Sequence, residues 1–265
     1  MTSTSKTYQV TGINLKATPF GEADRLVTIL TPQHGLLRVV APGARKPKSS
    51  LGGRSGIFVV NQLLLARGKS IDRITQAETL HTYRTLALDL SKLAISQYWA
   101  EIVLAQAISD HPQSDLYEVL NVHLRRLDAL PNEDNHGDAL GHLCQGIFHL
   151  LALGGIAPQV HNCWATSEPI VPNLGDPHWR IGFNIDRGGT VRIGQAVESI
   201  GGLYYLNAIE THLFQQLSAS ELDPTGVEAA DLATAWLRIE GILRRYIKHY
   251  LGCNIRSAAL LFVGS

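Results

Sequence analysis

At about residue 80 the spacing of apolar residues changes from two to between three and four, and no single regular layer accommodates both periods. Before that point the chain reads as short alternating runs: YQVTGINLK (8–16), DRLVTIL (24–30), GLLRVVA (35–41), IFVVNQLLLA (57–66) and SIDRITQAE (70–78). Breakers such as Pro19, Gly21, Pro32 and Gly35 separate them, and one long Gly/Pro/Ser-rich segment, APGARKPKSSLGGR, fills 41–54. Five short strands with one long loop predict a small Greek-key barrel. The OB-fold is the member of that class whose face and loops bind oligonucleotides; an SH3-like barrel has the same periodicity.

After residue 80 the pattern is helical. Leu86, Leu90 and Leu93 begin one helix, continued by Ile95, Trp99, Ile102 and Val103. Leu116, Leu120, Leu124 and Leu127 make a second stripe, and Leu140, Leu143, Ile147, Leu150 and Leu151 a third that stops at Gly154-Gly155 with Pro158 beyond. Leu206, Ile209, Leu213 and Leu217 form a fourth, and Leu232, Trp236, Ile239, Leu243, Tyr246, Ile247 and Tyr250 the clearest amphipathic helix. The expected fold class is therefore α+β, with a five-stranded OB-type barrel over 1–80 and an α-helical domain over 81–265. An irregular insertion interrupts the second part at about 158–195. The leucine and aromatic stripes are core, since any bundle needs them.

The 23 Lys/Arg and 23 Asp/Glu of the 265 residues cancel, but unevenly. Residues 1–73 hold eleven Lys/Arg against Glu22, Asp24 and Asp72, a surplus of eight positive charges that the rest of the chain reverses. A basic first third points to an anionic partner. Arg45, Lys46, Lys48 and Arg54 fall within ten residues without an acid between them, and Arg25, Arg38, Arg67, Lys69 and Arg73 flank them. The plain alternative is a solvated loop. The sharper one is a phosphate-binding strip, in which Arg supplies forked contacts and Lys point charges, and whose binding is sequence-tolerant and salt-sensitive. Aromatic stacking partners near the strip are few: Tyr8, Phe20 and Phe58.

Other function classes find little support. Cys144, Cys163 and Cys253 are too few and scattered for a disulfide framework. No apolar run reaches the ~18 residues of a membrane span. The start, MTSTSKTYQV, lacks the apolar segment of a signal peptide. These features predict a soluble, cytoplasmic protein with no membrane partner. His142 and His149 lie seven residues apart on the third helix without an HExxH motif, the GxxxxGK[ST] phosphate loop is absent, and Asp223, Glu228 and Asp231 read as a solvated helix start. The chain reads as non-enzymatic. A hydrolase built on His142, His149 and nearby carboxylates is one alternative, separable by turnover with divalent metals on phosphoesters. An RNA-binding OB module is another, separable by comparing RNA and DNA of one sequence. The segment 158–195 is the one place resembling a metal site, yet only His161, Cys163 and His178 are available where a structural zinc takes four ligands in closely spaced pairs. No metal site and no cofactor are predicted, and the favoured reading is a metal-free loop with a short hairpin around Gly188-Gly189.

Four segments in order carry a family resemblance across nearly the whole chain: GINLKATPFGEADRLVTILTPQHGLLRVVAPGARKPKS, LLLARGKSIDRITQAETLHTYRTLALDLSKLAISQYWAEI, LLALGGIAPQVHNC and RRYIKHYLGCNIRSAALL. The sequence resembles the RecO family of bacterial recombination mediators. That resemblance implies an N-terminal OB-fold, a C-terminal helical domain and, in many members, a zinc-binding insertion. It also implies binding of single- and double-stranded DNA, annealing of complementary strands and, with RecR, help for RecA in replacing the single-strand-binding protein at the nucleoid. Many relatives have two CxxC pairs where this chain has Cys163-Trp164-Ala165-Thr166 and Arg192-Ile193-Gly194-Gln195, so the zinc-finger-like insertion is degenerate and only Cys163 is retained. Its fold must then rest on packing by Trp164, Trp179, Ile181 and Phe183. The resemblance further implies that the acidic, Phe-ended tail of the single-strand-binding protein docks on the helical domain. Arg125-Arg126 and Arg244-Arg245 are the paired clusters beside apolar stripes that suit it; the alternative is that they only solvate their helices.

Overall fold

The structure is a computed structural model describing residues 6–131, 136–194, 202–223 and 226–262. The chain divides into two compact units, 1–128 and 129–265.

In the first unit, β1 (Thr7–Phe20), β2 (Asp24–Thr31), β3 (Gly35–Ala41), β4 (Val59–Ala66) and β5 (Asp72–Thr82) close into a barrel of order β1-β2-β3-β5-β4. All neighbours are antiparallel except β3 and β5, which run parallel with Val39 opposite Asp72 and Val40 opposite Arg73. This is the OB-fold that the alternating runs predicted. The alternation itself builds the core, because Val10, Val27, Ile29, Val39, Leu63, Leu65 and Ile74 all point to one interior. β1 is long enough to pair with both β4 and β2, and a bulge between Asn14 and Lys16 lets it turn from one to the other. Gly12 permits that turn: a Cβ there would come within 2.5 Å of Ile29 Cγ2.

The barrel runs directly into α1 (Leu90–Gln106) and α2 (Ser114–Ala129). The expected start of the first helix at Leu86 is corrected, because the Asp89 side chain accepts a hydrogen bond from the Lys92 amide and caps the helix there. Leu86 is buried ahead of the cap, Leu90 is exposed, and Ile95, Trp99, Ile102 and Val103 carry the buried face. α2 is fastened to the chain leaving the barrel: the Tyr83 hydroxyl donates to Asn121 Oδ1 at 2.7 Å, and the Thr85 hydroxyl donates to Asp128 Oδ1 at 2.7 Å.

In the second unit, α3 (His136–Leu153) packs on α5 (Ala229–Leu251), with Leu143, Ile147, Leu151, Ile239, Leu243 and Ile247 buried. Gly155 and Gly252, in the left-handed region, follow the two helices as their endings require. Glu228 stands at the N-cap of α5 with Asp231 in its first turn, while Asp223 is exposed ahead of it. β6 (Arg180–Asn184) and β7 (Gly189–Val191) form the expected hairpin, with Gly188 at φ 72° in its turn. The fourth helical stripe needs correction. Leu206 belongs to β8 (Leu203–Asn207), where it lies opposite Ile181, and α4 (Ala208–Gln216) begins only after a capping box formed by Asn207 and Glu210. A short 3-10 turn covers Ser257–Phe262. Among the described residues no helix is long and apolar enough to cross a membrane.

Candidate nucleic-acid interface

Residues 42–58, between β3 and β4, form a folded element. Successive tight turns carry the chain, with amide-to-carbonyl bonds from Lys46 to Gly43, Ser49 to Lys46, Gly52 to Ser49 and Gly56 to Gly53. Side chains of the barrel then hold this segment in place. Asn14 Nδ2 donates to the carbonyls of Arg54 and Gly56, both at 2.8 Å, and Asn61 Nδ2 donates to the same Arg54 carbonyl at 2.9 Å. Asp24 Oδ1 accepts from the Gly43 amide at 2.7 Å, and the Arg45 amide donates to the Ala23 carbonyl at 2.8 Å. Lys48 and Phe58 both sit at φ 59°, a conformation that non-glycine residues hold only where surroundings enforce it.

The basic residues fall into distinct positions. Arg45, Lys46, Lys48 and Arg54 are exposed on the loop. Arg45 Nη1 donates to the Gly21 carbonyl at 3.2 Å and Arg54 Nη1 to the Ser50 carbonyl at 2.9 Å, which aims both side chains without neutralising them. Arg38 is exposed on the outer face of β3. Arg73, opposite Val40, shares that face by strand register, and pairs with Asp24 at 3.8 Å. Arg67 and Lys69 are exposed in the β4–β5 turn, where the Arg67 guanidinium lies 4.7 Å over the Tyr8 ring. Burial, then a hydrogen bond to Asp72, pushes the Tyr8 phenol above its usual range. Arg25 stands apart. By register it shares the inward face of Ala41 and Val27, and its Nη1 donates to the Gly52 carbonyl at 2.9 Å and the Ser55 hydroxyl at 3.0 Å. It braces the loop from beneath and is half-buried. Of the three acids in the basic segment, Asp24 and Asp72 are occupied with such internal bonds, leaving the surplus positive charge facing solvent. The charge pattern does not single out Asn14, Asn61 or Asp24, although two asparagines inside apolar strands are a visible anomaly in the sequence.

Comparison with known proteins bears on this surface. Residues 4–83 match the family model described as recombination protein O, N terminal, and residues 87–259 the corresponding C-terminal model. Similar proteins named DNA repair protein RecO include those of a Nostoc species (46% identity, covering 97% of this chain and 96% of the relative), Gloeothece citriformis (46%, 97% and 97%) and a Synechocystis species (44%, 97% and 97%). The chain belongs to the RecO family. Its role therefore lies in DNA repair and recombination.

A structural zinc, which the family resemblance implies, would need its ligands in the insertion of this chain. Three positions of the expected set meet at one point. Burial favours the neutral Cys163 thiol, but hydrogen bonds from the Thr166 hydroxyl and the amides of Arg192, Thr166 and Ala165 outweigh it and hold the thiol below its usual range. Thr166 and Arg192 offer no ligand, and Gln195 lies outside the described residues. Arg192 instead reaches Glu168 at 3.4 Å and donates to the Pro169 carbonyl at 2.9 Å. His161 Nε2 pairs with the Ser218 hydroxyl at 3.1 Å, and His178 is exposed. Among the described residues no group of three or more His, Cys, Asp or Glu is gathered as a metal needs, so these residues do not fit a structural zinc. His142 and His149, both on α3, join no such group either. Ile181 and Phe183 are buried, and Arg187 lies 5.3 Å over the Trp164 ring.

The two arginine pairs differ. Arg125 lines a half-open pocket of about 480 Å³ in the first unit with His81, Tyr83, Tyr117, Val122 and the acidic Glu118, and its neighbour Arg126 is half-buried. In the second unit Arg244 reaches Glu240 at 3.4 Å, while Arg245 donates to the Gly241 carbonyl at 2.8 Å and lies 5.5 Å over the Tyr204 ring.

Proposed function

We propose that this family member is a non-enzymatic recombination mediator that binds single- and double-stranded DNA on its barrel loops and anneals complementary strands. With RecR, it helps RecA replace the single-strand-binding protein. The observation that carries DNA binding is the tethered loop 42–58, which holds Arg45, Lys46, Lys48 and Arg54 outward on a scaffold anchored by Asn14, Asp24 and Asn61. A fixed array of cations contacts phosphates without ordering itself first, and releases counterions on binding. Replacing Arg45, Lys46 and Lys48 together with Ala should weaken binding across all sequences and lower the log-log salt slope on single strands by about 2. An unchanged slope would place the loop away from DNA.

Coated strands hide phosphates, so action on them needs a handle on the coat. The handle we favour is the acidic, Phe-ended tail of the single-strand-binding protein, its ring seated in the aromatic pocket whose lining carries Arg125 as well as Glu118, whereas on the last helix Arg244 is paired with Glu240. The double change Arg125→Glu/Arg126→Glu should abolish annealing of coated strands and spare that of bare ones. A tail peptide that binds this variant with wild-type affinity in fluorescence anisotropy would move the docking site elsewhere. We also propose that the insertion folds without metal, its Cys163 thiol held by the hydrogen bonds that take the place of a zinc.

A further inference from the structure

Phe20 closes β1 and is 44% exposed at the tip of the β1–β2 hairpin. A single exposed apolar residue is common on any surface and means nothing by itself. Its neighbours give this one meaning. The next residue, Gly21, receives the Arg45 guanidinium on its carbonyl at 3.2 Å. The residue opposite Phe20 in register, Asp24, carries the Arg73 guanidinium at 3.8 Å and the Gly43 amide at 2.7 Å. The partners of two cations of the basic segment thus neighbour Phe20, one along the chain and one across the strand pair, with the exposed Glu22 in the turn between them. Gly21 has φ 59°, and a Cβ there would find no atom within 4 Å, so the space beside the tip is open. The other two aromatics considered for the strip are taken: Phe58 is buried, and Tyr8 is covered by Arg67 and bonded to Asp72.

We infer that Phe20 is a base-stacking residue, on which an unpaired base lies while its flanking phosphates meet Arg45 and Arg73. The ligand is a single-stranded nucleic acid with at least one base free of its partner. A duplex has its bases stacked on one another and offers the ring nothing, so Phe20 raises affinity for single strands and leaves phosphate contacts with duplex untouched. The inference rests on the DNA-binding reading and adds strand selectivity to it. One stacking residue among many cations also gives a weak, sequence-tolerant grip, suited to a protein that must release each strand once it has paired.

The test compares three fluorescein-labelled probes by anisotropy: oligothymidylate, an abasic strand of the same length, and a blunt duplex. Phe20→Ala should lose about 5- to 150-fold in affinity for oligothymidylate. It should bind the abasic strand and the duplex as the wild type does, with an unchanged salt slope. Phe20→Trp should keep oligothymidylate binding, and its added emission, taken as the difference from wild type, should be quenched by oligothymidylate and not by the abasic strand. Equal losses on all three probes for Phe20→Ala, or wild-type binding of all three with Phe20→Trp emission unmoved, overturn the inference. If Phe20→Ala is poorly folded by circular dichroism, the Phe20→Trp quenching alone decides. Wild-type protein that binds no probe overturns the DNA-binding reading itself.

Discussion

At the scale of single residues, the interface depends on side chains that never reach its surface. Asn14 lies in the barrel interior and spends its amide group on two carbonyls of the basic loop. Asn14→Leu removes both bonds and leaves the carbonyls to find other donors, at a cost of about 1–3 kcal/mol. No charge is changed, yet affinity for DNA should fall and trypsin should cut faster at Arg45 and Lys48, Lys46 being protected by the Pro47 that follows it. Unaltered cleavage kinetics would mean that Asp24 and Asn61 hold the loop without help. The cationic loop was legible in the sequence as charge, but its rigidity was not, because two of its tethers, Asn14 and Asp24, come from positions 40 and 19 residues away. Arg25 shows the converse. It read as part of the strip by composition, although its spacing from Val27 and Ile29 already assigns it to the inward face.

At the scale of elements, the joint between β5 and α2 is a buried hydrogen bond from Tyr83 to Asn121. Burial first, and then nearby Tyr117 and Asp128, push the Tyr83 phenol up to about 12, against the partial relief given by Arg125. Because the folded value lies above the ordinary 10, the stabilisation is whole below pH 10 and is withdrawn as pH rises towards 12, where the unfolded chain ionises first. The term is on the order of 2 kcal/mol. Tyr83→Phe should lower stability at neutral pH by about 1–3 kcal/mol through the stranded Asn121 oxygen, and should flatten the loss between pH 10 and 12 in urea titrations. Parallel curves for the two proteins would show that Tyr83 does not govern this loss. Elements with core alternation were legible almost to the residue, as β2 and β3 show. β8 was not, because Leu206 falls in phase with Ile209 and Leu213 and its true partner, Ile181, is set by sheet pairing.

At the scale of the whole molecule, the proposed metal independence of folding has a direct measurement. On the proposal that the insertion folds without metal, the purified chain should carry far less than one zinc per molecule, and a chelator should leave its melting temperature unchanged, because no metal binding energy would be linked to folding. Stoichiometric zinc would show that His161 or His178 has been recruited. The closed barrel has another consequence, which concerns the order of events as the chain folds. β1 must wait for β4, pairing Thr7 with Ala66, and closure further requires Val39 to meet Asp72. Such distant pairings form slowly compared with a local turn or helix. Asn14 and Asn61, on those two late-meeting strands, converge on the same carbonyl. Nascent chain emerging from a ribosome therefore carries every cation of the loop before it carries the loop's shape, which comes only with the step that seals the barrel.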